Sequence, residues 1–237
     1  MAVITLADVK EIAKIKQLIE SANHVLKMYG YTEHGLRHGG YVSSCSAAIL
    51  RDLGYSERTV ELAAIAGWVH DVGNTCNRLN HSMTGAVLIY PLLMEMGMPM
   101  EEIVQILSAV GNHEEQNGIP VSEISSALII ADKSDAHRTR VRKGRYNPDD
   151  IHDRVNYAIK ENWVKAYADT RVIRYEMVMD NTASVMDFMT IYLSRMQMCE
   201  QAAQFLGCRL DIVINGVVVN SHRFDPLPQE DPLEEQG

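Results

Sequence analysis

Apolar residues recur at intervals of three and four through the first 140 residues, which is the spacing of one buried face of an α-helix. The clearest stretch runs from Asp8 to Tyr29 and is followed by Gly30, a residue that commonly ends helices. Further helices are predicted, with Ser56 and Ser122 as N-caps, over residues 32–53, 57–69, 81–96, 99–111 and 122–137. Because no strand-like alternation interrupts them, the N-terminal region is predicted to be an all-helical bundle.

The pattern changes after Gly144, where the turn-rich segment 147–150 forms a joint. Strands are predicted over residues 155–159, 163–167 and 172–179, a long helix over 183–205, and a hairpin over 210–219 around Asn215-Gly216. The fold class is therefore mainly α, with a small C-terminal α+β unit of antiparallel strands and one long helix. We expect a helical metal-binding domain over residues 1–145, the α+β subdomain over 146–226 and a flexible tail over 227–237.

The composition of the chain limits the classes of molecule that it is expected to bind. The net charge of -9 argues against binding to nucleic acid or to an anionic membrane surface, since both interactions favour a basic protein. No apolar run approaches the roughly 20 residues of a membrane span, and the N-terminus has no export signal. The four cysteines form no CxxC pair. We therefore expect a cytoplasmic protein with reduced thiols.

A histidine and an aspartate, His70 and Asp71, stand side by side at the end of the apolar stretch Val60–Val69. Burial of an unpaired carboxylate is costly, so Asp71 needs a hydrogen bond, an ion pair or a metal ion. Six residues on or beside predicted helices could converge in one bundle interior: His38, His70, Asp71, His81, His113 and Asp132. Their side chains suit two divalent ions of Fe, Mn, Zn, Ni, Co or Mg, one carboxylate bridging both.

These residues occur in ordered motifs, which are RHGGYV, WVHDVGN, HSMTG, NHEE and IIADKSDA. The set resembles the HD superfamily of metal-dependent phosphohydrolases over about residues 33–143. In the two-metal branch, the resemblance implies that His38, His70, Asp71 and Asp132 hold one ion. Asp71 would then bridge to a second ion, held by His81 and His113.

The segment from HSMTG to ADKSDAHRTR also resembles the HD-GYP cyclic-dinucleotide phosphodiesterases, although three features differ. Asn74 stands where a lysine is common, Asn112-His113 replaces a histidine pair, and the GYP element is reduced to Gly118-Ile119-Pro120. These departures weaken the case for cyclic di-GMP as the substrate.

Two divalent ions lower the pKa of a bridging water towards about 7 and so supply a hydroxide that attacks phosphorus. The resemblance and this chemistry predict hydrolysis of a nucleotide or another small phosphoester, either a monoester or a diester, with Asp71 and Lys133 as catalytic residues. Substrate phosphates need positive or polar side chains, and arginine is a suitable phosphate clamp. The predicted substrate-binding residues are His34, Arg37, Asn74, Arg78, Lys133, Arg138 and Arg142, the last two from a basic cluster that also contains Arg140, Lys143 and Arg145. Glu114 and Glu115 could act as catalytic acids, but the preferred prediction is a solvated helix end.

Two other functions remain open. Some relatives with the same six-ligand pattern are di-iron oxygenases that cleave C–C or C–P bonds, and ligand identity does not separate the two chemistries. The chain could also be a non-catalytic metal-binding sensor, since Asn74 replaces the common lysine. An exposed edge of the C-terminal sheet would allow a homodimer.

Overall fold

The computed structural model describes residues 3–220. Their N-terminal part is helical, as predicted, and the strands follow residue 158. The helices are α1 (Leu6–Glu11), α2 (Ala13–Met28), α3 (Leu36–Asp52), α4 (Glu57–Val69), α5 (His81–Glu95), α6 (Met100–Gly111), α7 (Glu123–Lys133), α8 (Ile151–Ala158) and α9 (Val185–Phe205). The strands are β1 (Ile159–Tyr167), β2 (Val172–Met179), β3 (Arg209–Ile214) and β4 (Val217–Val218). Short 3-10 helices occupy Val72–Thr75 and Arg138–Arg140. No helix within residues 3–220 is long and apolar enough to cross a membrane.

Serine hydroxyls begin two of the helices at the predicted positions. The backbone N–H of Thr59 donates to the side chain of Ser56 at 3.2 Å, and that of Ser125 donates to Ser122 at 3.1 Å. The single helix predicted over residues 8–29 is wrong, because Ile12 adopts an extended conformation and separates α1 from α2. The break turns α1 so that it contacts α4 as well as α2. Periodicity alone does not reveal it, since both segments continue the same apolar spacing.

Helix α4 lies at the centre of the bundle and contacts α3, α6 and α7. Its residues from Leu62 to Val69 are all buried, and they bring His70 and Asp71 into the interior at the end of the helix. Helix α7 is buried along its length and ends at Lys133, four residues before the predicted end.

The strand predicted over residues 155–159 is wrong, since residues up to Ala158 belong to α8. The side chain of Asp150 caps this helix by accepting from the N–H of His152 at 2.8 Å. Val155, Ala158 and Ile159 are buried at helical spacing, whereas Tyr157 is exposed. A five-residue segment with this pattern is compatible with a helix or with a strand, and the cap formed by Asp150 favours the helix.

The strand order is β1-β2-β3-β4, and the antiparallel sheet predicted from the sequence is wrong at its centre. Strands β1 and β2 are antiparallel, as are β3 and β4, but β2 and β3 are parallel. The physical reason is α9, which connects β2 to β3 and returns the chain to the same end of the sheet. The predicted turn joins β3 to β4, with φ of 51° at Asn215 and 81° at Gly216.

Helix α9 packs against α7 and against β3, so it joins the helical bundle to the sheet. Buried residues from both sides of residue 145 belong to one hydrophobic cluster. The proposed division at residue 145 stays a prediction, and the tail over residues 227–237 lies outside the described residues.

Candidate metal centre

The structure brings the six predicted metal ligands together in the interior of the bundle. His38 comes from α3, His70 and Asp71 follow α4, and His81 is the first residue of α5. His113 follows α6, and Asp132 lies in the last turn of α7. The four histidine side chains are 1–2% exposed, and the Asp71 and Asp132 side chains are 13% and 15% exposed. A His/Asp cluster that could hold metal ions therefore exists here.

One half of the cluster contains His38, His70 and Asp132. The Nε2 atoms of His38 and His70 are 3.2 Å apart. Oδ2 of Asp71 lies 3.5 Å from each of these nitrogens. Oδ1 of Asp132 lies 3.3 Å from His38 Nε2 and 3.5 Å from His70 Nε2. Both carboxylate oxygens thus lie close to the two histidine nitrogens of this half.

The other half contains His81 and His113, whose Nε2 atoms are 3.0 Å apart. Oδ1 of Asp71, the oxygen that does not face the first group, lies 3.3 Å from His81 Nε2 and 4.0 Å from His113 Nε2. The Asp71 carboxylate therefore lies between the two groups and presents one oxygen to each.

At His70 and His113, hydrogen bonds made by Nδ1 leave the inward Nε2 available to bind a metal. Nδ1 of His70 donates to the carbonyl of Gly67 at 2.9 Å, and Nδ1 of His113 donates to the carbonyl of Val110 at 2.6 Å. In a neutral ring with Nδ1 protonated, Nε2 carries a lone pair.

Facing imidazole nitrogens at such distances either share a proton or bind a metal ion. Oδ2 of Asp71 is likewise buried with no hydrogen-bond partner among the described residues. Two ligands about 2.1 Å from one ion are separated by ~3.0–3.4 Å in octahedral or tetrahedral geometry. The observed separations fit, so the residues present suit divalent ions.

Two carboxylates lie behind the histidines on the side away from the centre. Oδ2 of Asp135 is 2.6 Å from Nδ1 of His38, and Oε2 of Glu114 is 3.3 Å from Nδ1 of His81. Such carboxylate–histidine pairs orient metal ligands. Glu114 is only 4% exposed, so the predicted solvated helix end is wrong for this residue. Asp135 was not among the predicted site residues, although its spacing of three residues from Asp132 in ADKSDA places both near the same end of a helix.

Charge within the cluster keeps both acidic ligands ionised. Burial alone would raise the pKa of Asp71, but the charge of His70 and a hydrogen bond from His81 hold it well below its usual value. Burial likewise opposes ionisation of Asp132, and Lys133 with His38 and His70 holds its pKa well below the usual value. Ionised carboxylates and unprotonated imidazoles are the forms that bind divalent ions.

The pKa values of the two imidazoles in the other half of the cluster, His81 and His113, shift in opposite directions. Burial lowers the pKa of His81, but Asp71 and Glu114 outweigh it and raise the value to about 9. Burial and the charge of His81 hold the pKa of His113 well below 6.5. His81 is therefore the more basic of the two imidazoles, and a metal ion that binds its Nε2 must displace a proton.

A cavity of about 220 Å³ opens directly onto Asp71, His81 and Asp132. Three of the predicted substrate-binding residues, His34, Arg78 and Lys133, line it. Lys133 is 7% exposed and contacts Asp132 Oδ2 at 2.6 Å and Glu115 Oε2 at 3.0 Å. The cavity is therefore built from the predicted centre and cationic side chains.

The other four predicted substrate-binding residues are not among the described residues that line the cavity. Arg37 donates to Asp135 at 2.5 Å, and Asn74 donates to Asp71 Oδ1 at 2.8 Å, so both support the centre from behind. Arg138 donates to the carbonyl of Tyr157 at 2.8 Å, and Arg142 donates to the carbonyl of Tyr31 at 2.9 Å. These contacts are structural, and a role in substrate binding stays a prediction for all four.

Arg140, a phosphate-binding candidate from the basic cluster, also lines the cavity, whereas Arg195 was not selected from the sequence. Arg140 contacts Asp135 at 3.0 Å and His34 Nε2 at 2.7 Å. Glu115 and Arg195 lie beside Lys133. Arg140 was visible only as one member of the basic cluster. Arg195 is an isolated arginine in a helix far along the chain, and no sequence pattern marks it.

The four cysteines are free thiols, as expected.

No protein-family model and no curated protein matches the sequence. Among solved structures, the chain is similar to a predicted HD superfamily hydrolase from an uncultured Thermotogales bacterium. That match has 20% sequence identity and a TM-score of 0.43, and it covers 56% of this chain and 75% of that chain.

Proposed function

We propose that the chain is a metal-dependent phosphohydrolase of the HD type that acts on a nucleotide or another small phosphoester. The position of Asp71 carries the proposal. Its Oδ2 faces His38 and His70, while its Oδ1 faces His81. A carboxylate that presents one oxygen to each of two ligand groups is the bridging ligand that a two-metal centre needs.

His38, His70, Asp71 and Asp132 would hold one ion, and Asp71, His81 and His113 the other. When bound, two divalent ions supply a nucleophilic water at neutral pH and polarise the phosphoryl group. The histidine rings are held by Asp135 and by the carbonyl groups of Gly67, Arg78 and Val110, so little reorganisation is required on binding.

Two cationic side chains in the cavity are suited to the substrate phosphate. Lys133 contacts Oδ2 of Asp132, the oxygen that does not face His38 and His70, so its charge lies directly beside the place an ion would occupy. Arg78 lines the same cavity beside His81, with its NH1 group 3.0 Å from His81 Nε2. Positive charge next to both halves of the centre favours a phosphorylated substrate.

Metal analysis combined with a substrate panel tests the proposal. The protein is purified anaerobically, its metals are quantified, and phosphate release is measured from phosphomonoesters, phosphodiesters and nucleotides. We expect close to two ions per chain and oxygen-independent release of phosphate. Asp71→Ala should lose both, whereas Asp169→Ala, which removes an exposed carboxylate in the turn between β1 and β2, should retain both.

The same experiment separates the alternatives. Less than one ion per chain would refute the two-metal centre. Consumption of oxygen with a di-iron centre and no phosphate release would identify an oxygenase instead. Bound metal with neither reaction would identify a sensor.

A further inference from the structure

Helix α9 brings a positive charge, Arg195, from the C-terminal part of the chain to the candidate site. The side chain lines the same cavity as Asp71 and Asp132. Its guanidinium carbon lies 5.0 Å from the centroid of the Tyr192 ring, and this ring stacks on Phe188 at 4.7 Å with an interplanar angle of 8°. Two packed aromatic rings therefore support the guanidinium in one position.

Arg195 connects to the candidate centre through a chain of alternating charges. Its Nε donates to Oε1 of Glu115 at 3.2 Å, and Oε2 of Glu115 lies 3.0 Å from Nζ of Lys133. Lys133 in turn contacts Asp132. Glu115 thus holds Arg195 and Lys133 side by side next to a predicted metal ligand.

The terminal N–H groups of Arg195 are available to bind a ligand. A guanidinium has five N–H donors, and only Nε has an acceptor among the described residues. Arg140, which also lines this cavity, differs because Asp135 and His34 already engage both of its terminal amino groups. Arg195 therefore retains the planar pair of donors that matches two oxygens of a phosphate.

We propose that Arg195 is a phosphate-binding residue that acts together with Lys133. The inference rests on the proposed function and narrows its substrate to a phosphomonoester. The positive charges of Arg195 and Lys133 balance the negative charges of Glu115 and Asp132, so two bound divalent ions would make the surroundings of the phosphate positive overall. A terminal phosphate with two negative charges gains more from this environment than the singly charged phosphate of a diester.

Phosphate binding tests the inference without relying on turnover. Inorganic phosphate is titrated calorimetrically into the metal-loaded full-length protein and into Arg195→Gln. We expect binding to weaken roughly 10- to 100-fold, the effect of losing charge-assisted hydrogen bonds, while metal content is unchanged. Arg195→Lys keeps the charge but loses the planar donor pair, so its affinity should lie between the two. Arg209→Gln removes an arginine that is exposed and paired with Asp211, and it serves as the control.

Steady-state kinetics provide a second readout. In Arg195→Gln, KM for phosphomonoesters should rise more than kcat falls, and the loss for monoesters should exceed the loss for diesters. Wild-type phosphate affinity in Arg195→Gln, with metals retained, would overturn the inference. If Arg195→Gln fails to fold, Arg195→Lys decides alone, because unchanged affinity in this variant refutes recognition by the planar donor pair.

The two proposals can fail separately. Arg195-dependent phosphate binding by a wild-type protein that hydrolyses no ester would support the anion site and refute the hydrolase. Hydrolysis that Arg195→Gln leaves unchanged would support the hydrolase and refute the role of Arg195.

Discussion

Oδ2 of Asp135 lies 2.6 Å from Nδ1 of His38 and fixes the orientation of that ring towards the centre of the cluster. Arg37 and Arg140 donate to the same carboxylate. Burial alone would raise the pKa of Asp135, but Arg140 and His38 outweigh it, and Arg37 adds to their effect, so the pKa lies well below its usual value. A permanent negative charge at this position makes the opposite nitrogen of His38 a stronger metal ligand.

Asp135→Asn should therefore lower the affinity for the ion bound by His38 about 10- to 100-fold, the usual cost of losing a partner behind a metal ligand. Competition with a chromophoric chelator measures the affinity. Asp52→Asn, which removes only the carboxylate paired with Lys165 at 2.9 Å, is the control. Equal affinities for Asp135→Asn and the control would show that Asp135 does not tune the centre.

Gly73→Ala should destabilise the protein by about 3 kcal/mol, since overpacking typically costs this much. A Cβ at this position would lie 1.9 Å from the carbonyl oxygen of His81 and 2.5 Å from the backbone nitrogen of Gly85. The first turn of α5 must then shift and carry His81 with it. Urea denaturation measures the stability, and metal analysis should show a lower content.

The matched control for this variant is Gly40→Ala in α3. The nearest atom to its Cβ would be the Trp68 ring at 4.0 Å, so alanine fits and should be neutral or stabilising. If Gly73→Ala is as stable as this control, the contact between the 3-10 helix and α5 is looser than the structure indicates.

Ionisation of the Glu115 carboxyl group should make the free energy of unfolding depend on pH in the acidic range. Burial would raise its pKa, but Lys133 and Arg195 lower it to about 2. The unfolded chain, with a pKa of about 4.3, then binds the proton more tightly than the folded chain. The stabilisation is complete above the unfolded pKa and is lost as the pH falls towards 2, and it amounts to roughly 3 kcal/mol.

Denaturation of chelator-treated protein between pH 2 and 6 checks this expectation, because metal release then does not contribute. Glu115→Gln should reduce the pH dependence in this window, and the difference from wild type should shrink towards pH 2. Parallel stability curves for the two proteins would be inconsistent with the ion pairs of Glu115.

Thiol labelling should distinguish Cys76 from the other three cysteines. Cys76 is exposed, whereas Cys199 and Cys208 are buried and Cys45 is half-buried. Burial raises the pKa of Cys45 to about 12 and that of Cys199 well above its ordinary value, so few thiolates form at pH 8. With a disulfide reagent we expect one fast thiol, none in Cys76→Ser, and four after denaturation. Two or more fast thiols in the folded protein would contradict the packing around Cys45 in α3, Cys199 in α9 or Cys208 next to β3.

The helical half of the fold was predictable because its signals are local. Ser56 and Ser122 cap helices where expected, and apolar spacing located α4 and its polar end. The parallel pairing of β2 with β3 was not predictable from strand patterns, since it depends on the path of α9. The strand predicted for the segment ending at Ala158 was wrong for another reason. Five residues are too few to distinguish the periodicity of a helix from that of a strand.

The site was predictable to the extent that its residues belong to ordered motifs. The six candidate ligands come together, and the structure adds the separate directions of the two Asp71 oxygens. The supporting residues were harder to identify. Arg37 and Arg142 have the right charge but donate to other protein groups, and charge alone does not show whether a side chain is already engaged.

The two histidine pairs have a thermodynamic consequence for the whole chain. His38 and His70 are 32 residues apart in sequence, and so are His81 and His113. An ion bound between the members of a pair closes that loop, as a disulfide would, and it disfavours the unfolded ensemble by restricting chain entropy. Because Asp71 touches both groups, two ions would join these loops into one cross-linked unit. Metal binding should therefore cross-link the bundle reversibly, and the melting temperature of the protein should depend on the free metal concentration.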